Sequence, residues 1–206
     1  MSKLNKDSNT YIIIYSTVLV VIVAFLLAFV SSSLKERQDA NVALDKKKQI
    51  LNSLNLRDLD DAAAEAKYKE VVKEEKELNG QKYYVCEVDG NQVYVVTLKG
   101  MGLWGGISGF LALHEKDNSG GPFLYVYGAY FNHESETAGL GAEIKDSREW
   151  QEKFIGKQVN RNGKVVLSVV KNVTDPETQV DCVTGATLTS NGVNNMIQTC
   201  LEPFAK

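Results

Sequence analysis

The first feature of the chain is an unbroken apolar run. From Tyr11 to Val30 no residue is charged and none is Gly or Pro. As a helix rising about 1.5 Å per residue, it reaches roughly 30 Å, the thickness of a bilayer core. Tyr11 and Tyr15 lie at one end, where amphipathic rings favour the interface. A cleaved signal peptide is the competing reading, with Ser31-Ser32-Ser33 as its small-residue site, but its apolar core is only about 7–15 residues long. The run therefore predicts a single uncleaved transmembrane helix over 11–30, behind a short tail over 1–10.

Beyond it the pattern becomes amphipathic. Val42, Leu44, Ile50, Leu51 and Leu54 recur at helical spacing among Lys, Asp and Gln, so residues 34–54 read as helix. Asp61 to Leu78 is rich in Ala, Glu and Lys, with opposite charges three or four apart, and reads as a solvated helix stopped by Asn79-Gly80. Residues 31–80 thus form a helical connecting region. From residue 81 to 206 alternation takes over. Strands are expected over 82–88, 92–98, 107–114, 123–131 and 164–170, with turns at Asp89-Gly90-Asn91 and at 117–122. Helices at 147–154 and 190–201 complete an α+β domain on a mostly antiparallel, twisted sheet flanked by helices.

The 206 residues, 44% hydrophobic, suffice for one globular domain and an accessory segment. A net charge of −3 carries no basic excess of the kind that nucleic-acid partners require. Cys86, Cys182 and Cys200 are far apart, with no C-x-x-C pair, and read as buried thiols rather than as a zinc site or a disulfide framework. Charge does not orient the anchor. Lys3 and Lys6 precede it, while Lys35, Arg37 and Lys46 to Lys48 follow.

Candidate chemistry gathers in three places. Asp181-Cys182-Val183-Thr184-Gly185-Ala186-Thr187-Leu188-Thr189-Ser190 puts four hydroxyls into seven positions at the start of the last helix. Such a turn either caps a helix or holds an anion, because a helix start offers free N–H groups and a partial positive charge. Gly100 to Gly109 holds five glycines around Leu103 and Trp104. Either the backbone there approaches a flat ligand, or the loop is a tight connection that buries its Trp. His133-Glu134-Ser135-Glu136-Thr137-Ala138-Gly139-Leu140-Gly141 is a third polar loop, in which His133 alone reads as a surface histidine and Glu134 and Glu136 as solvated.

All three stretches resemble, in order, motifs of one family: the FMN-binding domain of the C subunit of the sodium-translocating NADH:quinone oxidoreductase (Nqr) and of the G subunit of the related Rnf complex. Asp-x-x-Thr-Gly-Ala-Thr-x-Thr is similar to its flavinylation motif. The Gly-Leu-Trp-Gly-Gly-Ile loop is closer to the Nqr form, and Ala138 stands where the family's third motif has proline. The resemblance covers the whole chain, anchor included. It implies FMN joined through its phosphate to Thr187, with Thr189 the weaker candidate, and Asp181 read by a flavin transferase. Thr184, Gly185, Ala186, Leu188 and Thr189 would surround the phosphate, with Ser190 a further hydroxyl donor. Leu103, Trp104, Glu136, Thr137 and Leu140 would approach the ring.

By the same resemblance the chain is an electron relay, catalytic only as a subunit of the Na+-transporting NADH:quinone reductase, with the A, B, D, E and F subunits as partners and no metal of its own. The N-terminus would face the cytoplasm, and the flavin domain would lie outside the cell inner membrane. Two other readings stand beside it. One is an Rnf-type subunit exchanging electrons with ferredoxin-linked partners. The other is a membrane-anchored adaptor without cofactor, whose Thr-rich turn is only a cap.

Overall fold

The structure is a computed structural model that describes residues 8–118 and 121–205; the tail's Lys3 and Lys6 lie outside the described residues. It divides into two compact units between Ala43 and Leu44. The first consists of most of one helix. α1 runs Asn9–Ser53, 45 residues without interruption, started by the Ser8 hydroxyl accepting from the Tyr11 N–H at 3.2 Å. No side chain of its most apolar stretch is buried, and the helix is long and apolar enough to cross a membrane. Side chains such as Ile13, Phe25 and Phe29 are exposed on every side, which fits a helix solvated by lipid. The anchor and the following helix, expected as two elements, are one. Ser31-Ser32-Ser33 contains neither Gly nor Pro, and nothing there stops the hydrogen-bond ladder.

The second unit begins at Leu44, inside α1, so the helical region assigned to 31–80 is split rather than a separate connector. α2 (Asp61–Val71) starts on Asp60, whose carboxylate accepts from the Ala63 N–H at 2.7 Å. It ends earlier than its composition predicts. From Val72 the chain is extended as β1 (Val72–Leu78), antiparallel to β2 (Gln81–Val88). Asn79 and Gly80 both have positive φ, 51° and 84°, so the pair read as a helix stop is a hairpin turn. Sheet pairing overrides the helical propensity of Lys73 to Leu78, and Lys82–Glu75 at 3.3 Å and Lys73–Glu87 at 3.7 Å tie the two strands across. A charged, exposed β1 also makes a sheet edge that discourages pairing with other chains.

β3 (Asn91–Met101), β4 (Gly106–Asn118) and β5 (Gly121–His133) continue the meander, giving a five-stranded antiparallel sheet in the order β1-β2-β3-β4-β5. The expected turn at 117–122 centres on 119–120, outside the described residues. Alternation sends Val96, Leu98, Ile107, Leu111, Leu113 and Phe131 to one face. Tyr84, Val93, Val95, Phe110 and Ala112 go to the other, where Ile50, Leu51 and Leu54 of α1 cover them. The first face is covered by α3 (Glu143–Asp146), α4 (Arg148–Glu152) and the C-terminal α5 (Thr187–Leu201). Trp150 and Phe154 pack against Phe131 with ring centroids 5.6 and 5.1 Å away.

The strand expected over 164–170 is two pieces. β6 (Asn160–Arg161) and β7 (Lys164–Val165) form a hairpin turned by Asn162 and Gly163, both at positive φ. β8 (Ser168–Val170) instead pairs in parallel with β9 (Gln179–Asp181). The α+β class with a mostly antiparallel sheet holds. A short 3-10 turn (Glu202–Phe204) follows α5. All three cysteines are free; Cys86 and Cys200 are buried, and burial pushes the Cys86 thiol up to about 12.

Candidate functional site

α5 begins at Thr187, three residues before the start expected from sequence, and that shift sorts its hydroxyls. Ala186 stands ahead of it without a side-chain cap, and Gly185 takes φ +77° to turn the chain out of β9. The first intrahelical bond is Ser190 N–H to Ala186 C=O at 3.0 Å, so the N–H groups of Thr187, Leu188 and Thr189 have no acceptor within the helix. Two residues on a helix differ by about 200° in direction, so Thr187 and Thr189 face opposite ways. Thr187 is exposed; Thr189 is 2% exposed and its hydroxyl donates to Glu136 Oε2 at 2.6 Å. The Ser190 hydroxyl is fully buried and accepts from Val183 N–H at 3.0 Å. Of the four hydroxyls in the turn, only those of Thr184 and Thr187 belong to exposed residues.

Glu136 joins the three loops. One carboxylate oxygen accepts from the Trp104 N–H at 2.9 Å and the other from Thr189. Glu136 is buried, not solvated as its composition suggested, and burial by itself would raise its pKa. The Thr189 hydroxyl and the N–H groups of Trp104 and Leu103 outweigh burial, and His133 adds to them, so the carboxyl lies below its ordinary value. His133 is not a free surface histidine either: its Nδ1 accepts from the Glu136 N–H at 3.2 Å. Glu134 accepts from Gly106 N–H at 3.2 Å, and the Ser135 hydroxyl donates to Trp104 C=O at 3.0 Å.

The glycines serve this docking. A Cβ on Gly102 would lie 2.4 Å from Glu136 Oε1, and one on Gly141 2.4 Å from Glu136 Oε2. A Cβ on Gly192 would lie 2.3 Å from the Met101 carbonyl, so this glycine sets how closely α5 approaches the end of β3. Gly100 to Gly109 is thus a tight connection, yet it does not bury its Trp. Trp104 is 67% exposed.

Its neighbours are exposed as well. Met101 at the end of β3, Leu103 and Leu140 in loops, and Leu188 in the first turn of α5 all present large apolar side chains to solvent, on segments that Glu136, Thr189 and the Gly185–Leu140 approach hold together. Exposed apolar side chains gathered at one place mark a surface built for a ligand or partner. Met101 is not singled out by the sequence motifs, although it lies between Gly100 and Gly102 inside the Gly-rich stretch, which was the available signal. Thr137 is exposed, and its carbonyl accepts from Leu140 and Ala142 N–H. Asp181 stands apart from Thr187 in its bonding: its carboxylate pairs with Lys153 at 3.0 Å, and its carbonyl accepts from Trp150 Nε1 at 2.8 Å. With Thr184, Cys182 and Lys153 it lines a cavity of about 260 Å3.

Residues 102–202 match the family model of the FMN-binding domain. The chain is 30% identical to the C subunit of the Na(+)-translocating NADH-quinone reductase of Haemophilus ducreyi, over 95% of this chain and 90% of that one. It is 36% identical to the C subunit of the Pseudomonas aeruginosa reductase over 55% of this chain and 44% of the relative. The crystal structure of the corresponding C subunit from Parabacteroides distasonis superposes with a TM-score of 0.72 at 30% identity, covering 83% of this chain and 94% of that one. A chain that shares sequence with the first of these along nearly its whole length, and fold with the last, belongs to the family formed by the C subunits of the Na(+)-translocating NADH-quinone reductase.

Proposed function

We propose that this chain carries FMN esterified to Thr187 and relays electrons within an Na+-translocating NADH:quinone reductase. The observation that supports this most is the contrast within one helical turn. Thr187 is exposed at the open N-terminus of α5, next to the exposed Leu188, whereas the Thr189 hydroxyl is enclosed and already bonded to a carboxylate. The residues fit the group: an accessible hydroxyl for the ester, free N–H groups and a helix dipole for a phosphate, and apolar side chains for a flat ring. Thr184, Gly185 and Ala186 would border the phosphate. Glu136 and Thr189 act one step back, holding Trp104 and Leu103 toward the ring rather than touching it.

When bound, the flavin supplies one-electron chemistry; the protein supplies position and environment. Attachment forms a bond between Thr187 Oγ1 and the FMN phosphorus. With FAD as donor, AMP leaves and the threonine proton is taken up by solvent or by the transferase. Asp181, tied to Lys153, serves in this reading as part of the surface the transferase recognises. The chain is anchored by α1 with its N-terminus in the cytoplasm and its second unit outside, and its partners are the A, B, D, E and F subunits. Tethering keeps the ring at an effective concentration around millimolar or above.

Intact-mass and peptide analysis of the chain co-produced with the flavin transferase tests this. The expected result is an adduct of about 438 Da, FMN less water, on the peptide containing Thr187 and absent from Thr187→Ala. An adduct on Thr189, or none, would overturn the assignment.

A further inference from the structure

A cavity of about 530 Å3 lies in the second unit, on the far side of the sheet from α5, between the last turns of α1 and strands β2, β3 and β4. Lys46 from α1, Lys82 and Tyr84 from β2, Thr97 and Lys99 from β3, and Ser108 from β4 line it. No Asp or Glu does. Among the described residues, neither Lys46 nor Lys99 has a carboxylate within ion-pair distance, while Lys82 reaches Glu75 at 3.3 Å. The Lys46 ammonium sits 5.4 Å from the centre of the Tyr84 ring.

A second, independent feature belongs to the same cavity. The hydroxyls of Tyr84 and Thr97 are buried without a hydrogen-bond partner, and Tyr84 is 1% exposed. Buried hydroxyls are almost always bonded, so two without a protein partner beside one cavity are groups that a ligand there can engage. What would engage them would also meet two ammonium groups without an ion pair, those of Lys46 and Lys99. A carboxylate has two oxygens; donors arriving from one helix and three strands call for a tetrahedral anion with more. Lysine, as a compact point charge, suits phosphate.

We propose that this cavity is an oxyanion site that takes a phosphate group, separate from the flavin-bearing turn and independent of the reading of Thr187. The phosphate is either free in solution or the headgroup of an anionic lipid. Both sources present the same oxygens to Lys46, Lys99, Tyr84 and Thr97.

Thermal unfolding of the full chain in detergent tests it, with sodium phosphate compared with sodium chloride at equal ionic strength, and dihexanoyl phosphatidylglycerol compared with dihexanoyl phosphatidylcholine. At a tenfold excess over Kd the melting temperature should rise by roughly 3–5 °C in phosphate, or with phosphatidylglycerol, beyond the matched control. The double variant Lys46→Gln/Lys99→Gln should lose that rise. Thr97→Val, which removes an orphan hydroxyl, should melt no lower than the parent in chloride and gain less from the anion. A rise confined to phosphate assigns the free ion; one confined to phosphatidylglycerol assigns the lipid. No rise with either probe, or a rise unchanged in the double lysine variant, overturns the proposal. None of these measurements reads the flavin, so failure here leaves the Thr187 assignment standing.

Discussion

Replacing Glu136 by Gln changes one atom and tests how the three loops are held. In the parent the carboxylate accepts the Trp104 N–H at 2.9 Å and the Thr189 hydroxyl at 2.6 Å, and it also holds the Leu103 N–H. Glutamine keeps one acceptor and turns an NH2 toward whichever donor faces the other position. One buried donor is then unpaired, and the remaining bond loses its charge. With hydrogen bonds to charged groups worth about 1.5–3 kcal/mol, the loss should be about 2–4 kcal/mol, measured by urea unfolding of the full chain in detergent at pH 7. A double cycle with Thr189→Val should show a coupling of roughly 1–3 kcal/mol.

The pH dependence has a definite sign. The folded carboxyl lies below its ordinary value, so as pH falls the unfolded chain takes up the proton first. The stabilisation is therefore fully present above the ordinary carboxylate range and is lost as pH drops through the lower, folded value. The gap between parent and Glu136→Gln should close over that interval. An equal stability at pH 7, or a gap that stays constant as pH falls through the carboxylate range, would refute the account of Glu136 as the common acceptor.

Trp104→Ala should change stability by no more than about 0.5 kcal/mol, because the ring is largely exposed, yet it should shift the absorbance or potential of the flavin in flavinylated protein. An unchanged spectrum and potential would remove Trp104 from the ring's surroundings. Thr187→Ala, at an exposed position, should leave the urea midpoint within the same narrow margin while abolishing the adduct; a large loss of stability would show that this threonine is structural. Gly192→Ala forces a methyl group against the Met101 carbonyl and should cost about 1–3 kcal/mol, seen as a lower urea midpoint. A neutral result would mean that α5 and β3 are less tightly apposed than described.

Much of the architecture is legible because the core obeys simple periods. The apolar run of α1, the alternation in β2 to β5 and the α+β class all follow from spacing alone. What escapes is decided by contacts between distant segments. Lys73 to Leu78 has a helix former's composition, and only a partner strand beyond Asn79-Gly80 makes it extended. Val166 and Leu167 separate two short strands because each finds a different neighbour, a hairpin on one side and β9 on the other. At the site, the sequence locates the three loops but not the direction in which each side chain points. Glu136 reads as a solvent carboxylate until Thr189 and the Trp104 N–H are brought to it. Thr189 and Ser190 read as ligand hydroxyls until the helix phase turns them inward.

One consequence follows from where Thr187 is attached. It opens a helix whose inner face, Val193, Met196, Ile197 and Leu201, is sunk in the main core. A flavin on that oxygen, as proposed, would be moored to a helix packed into the core rather than to a loop. Its swing is limited to the few torsions beyond the side chain, and its distance to a docked neighbour inherits the stiffness of the fold.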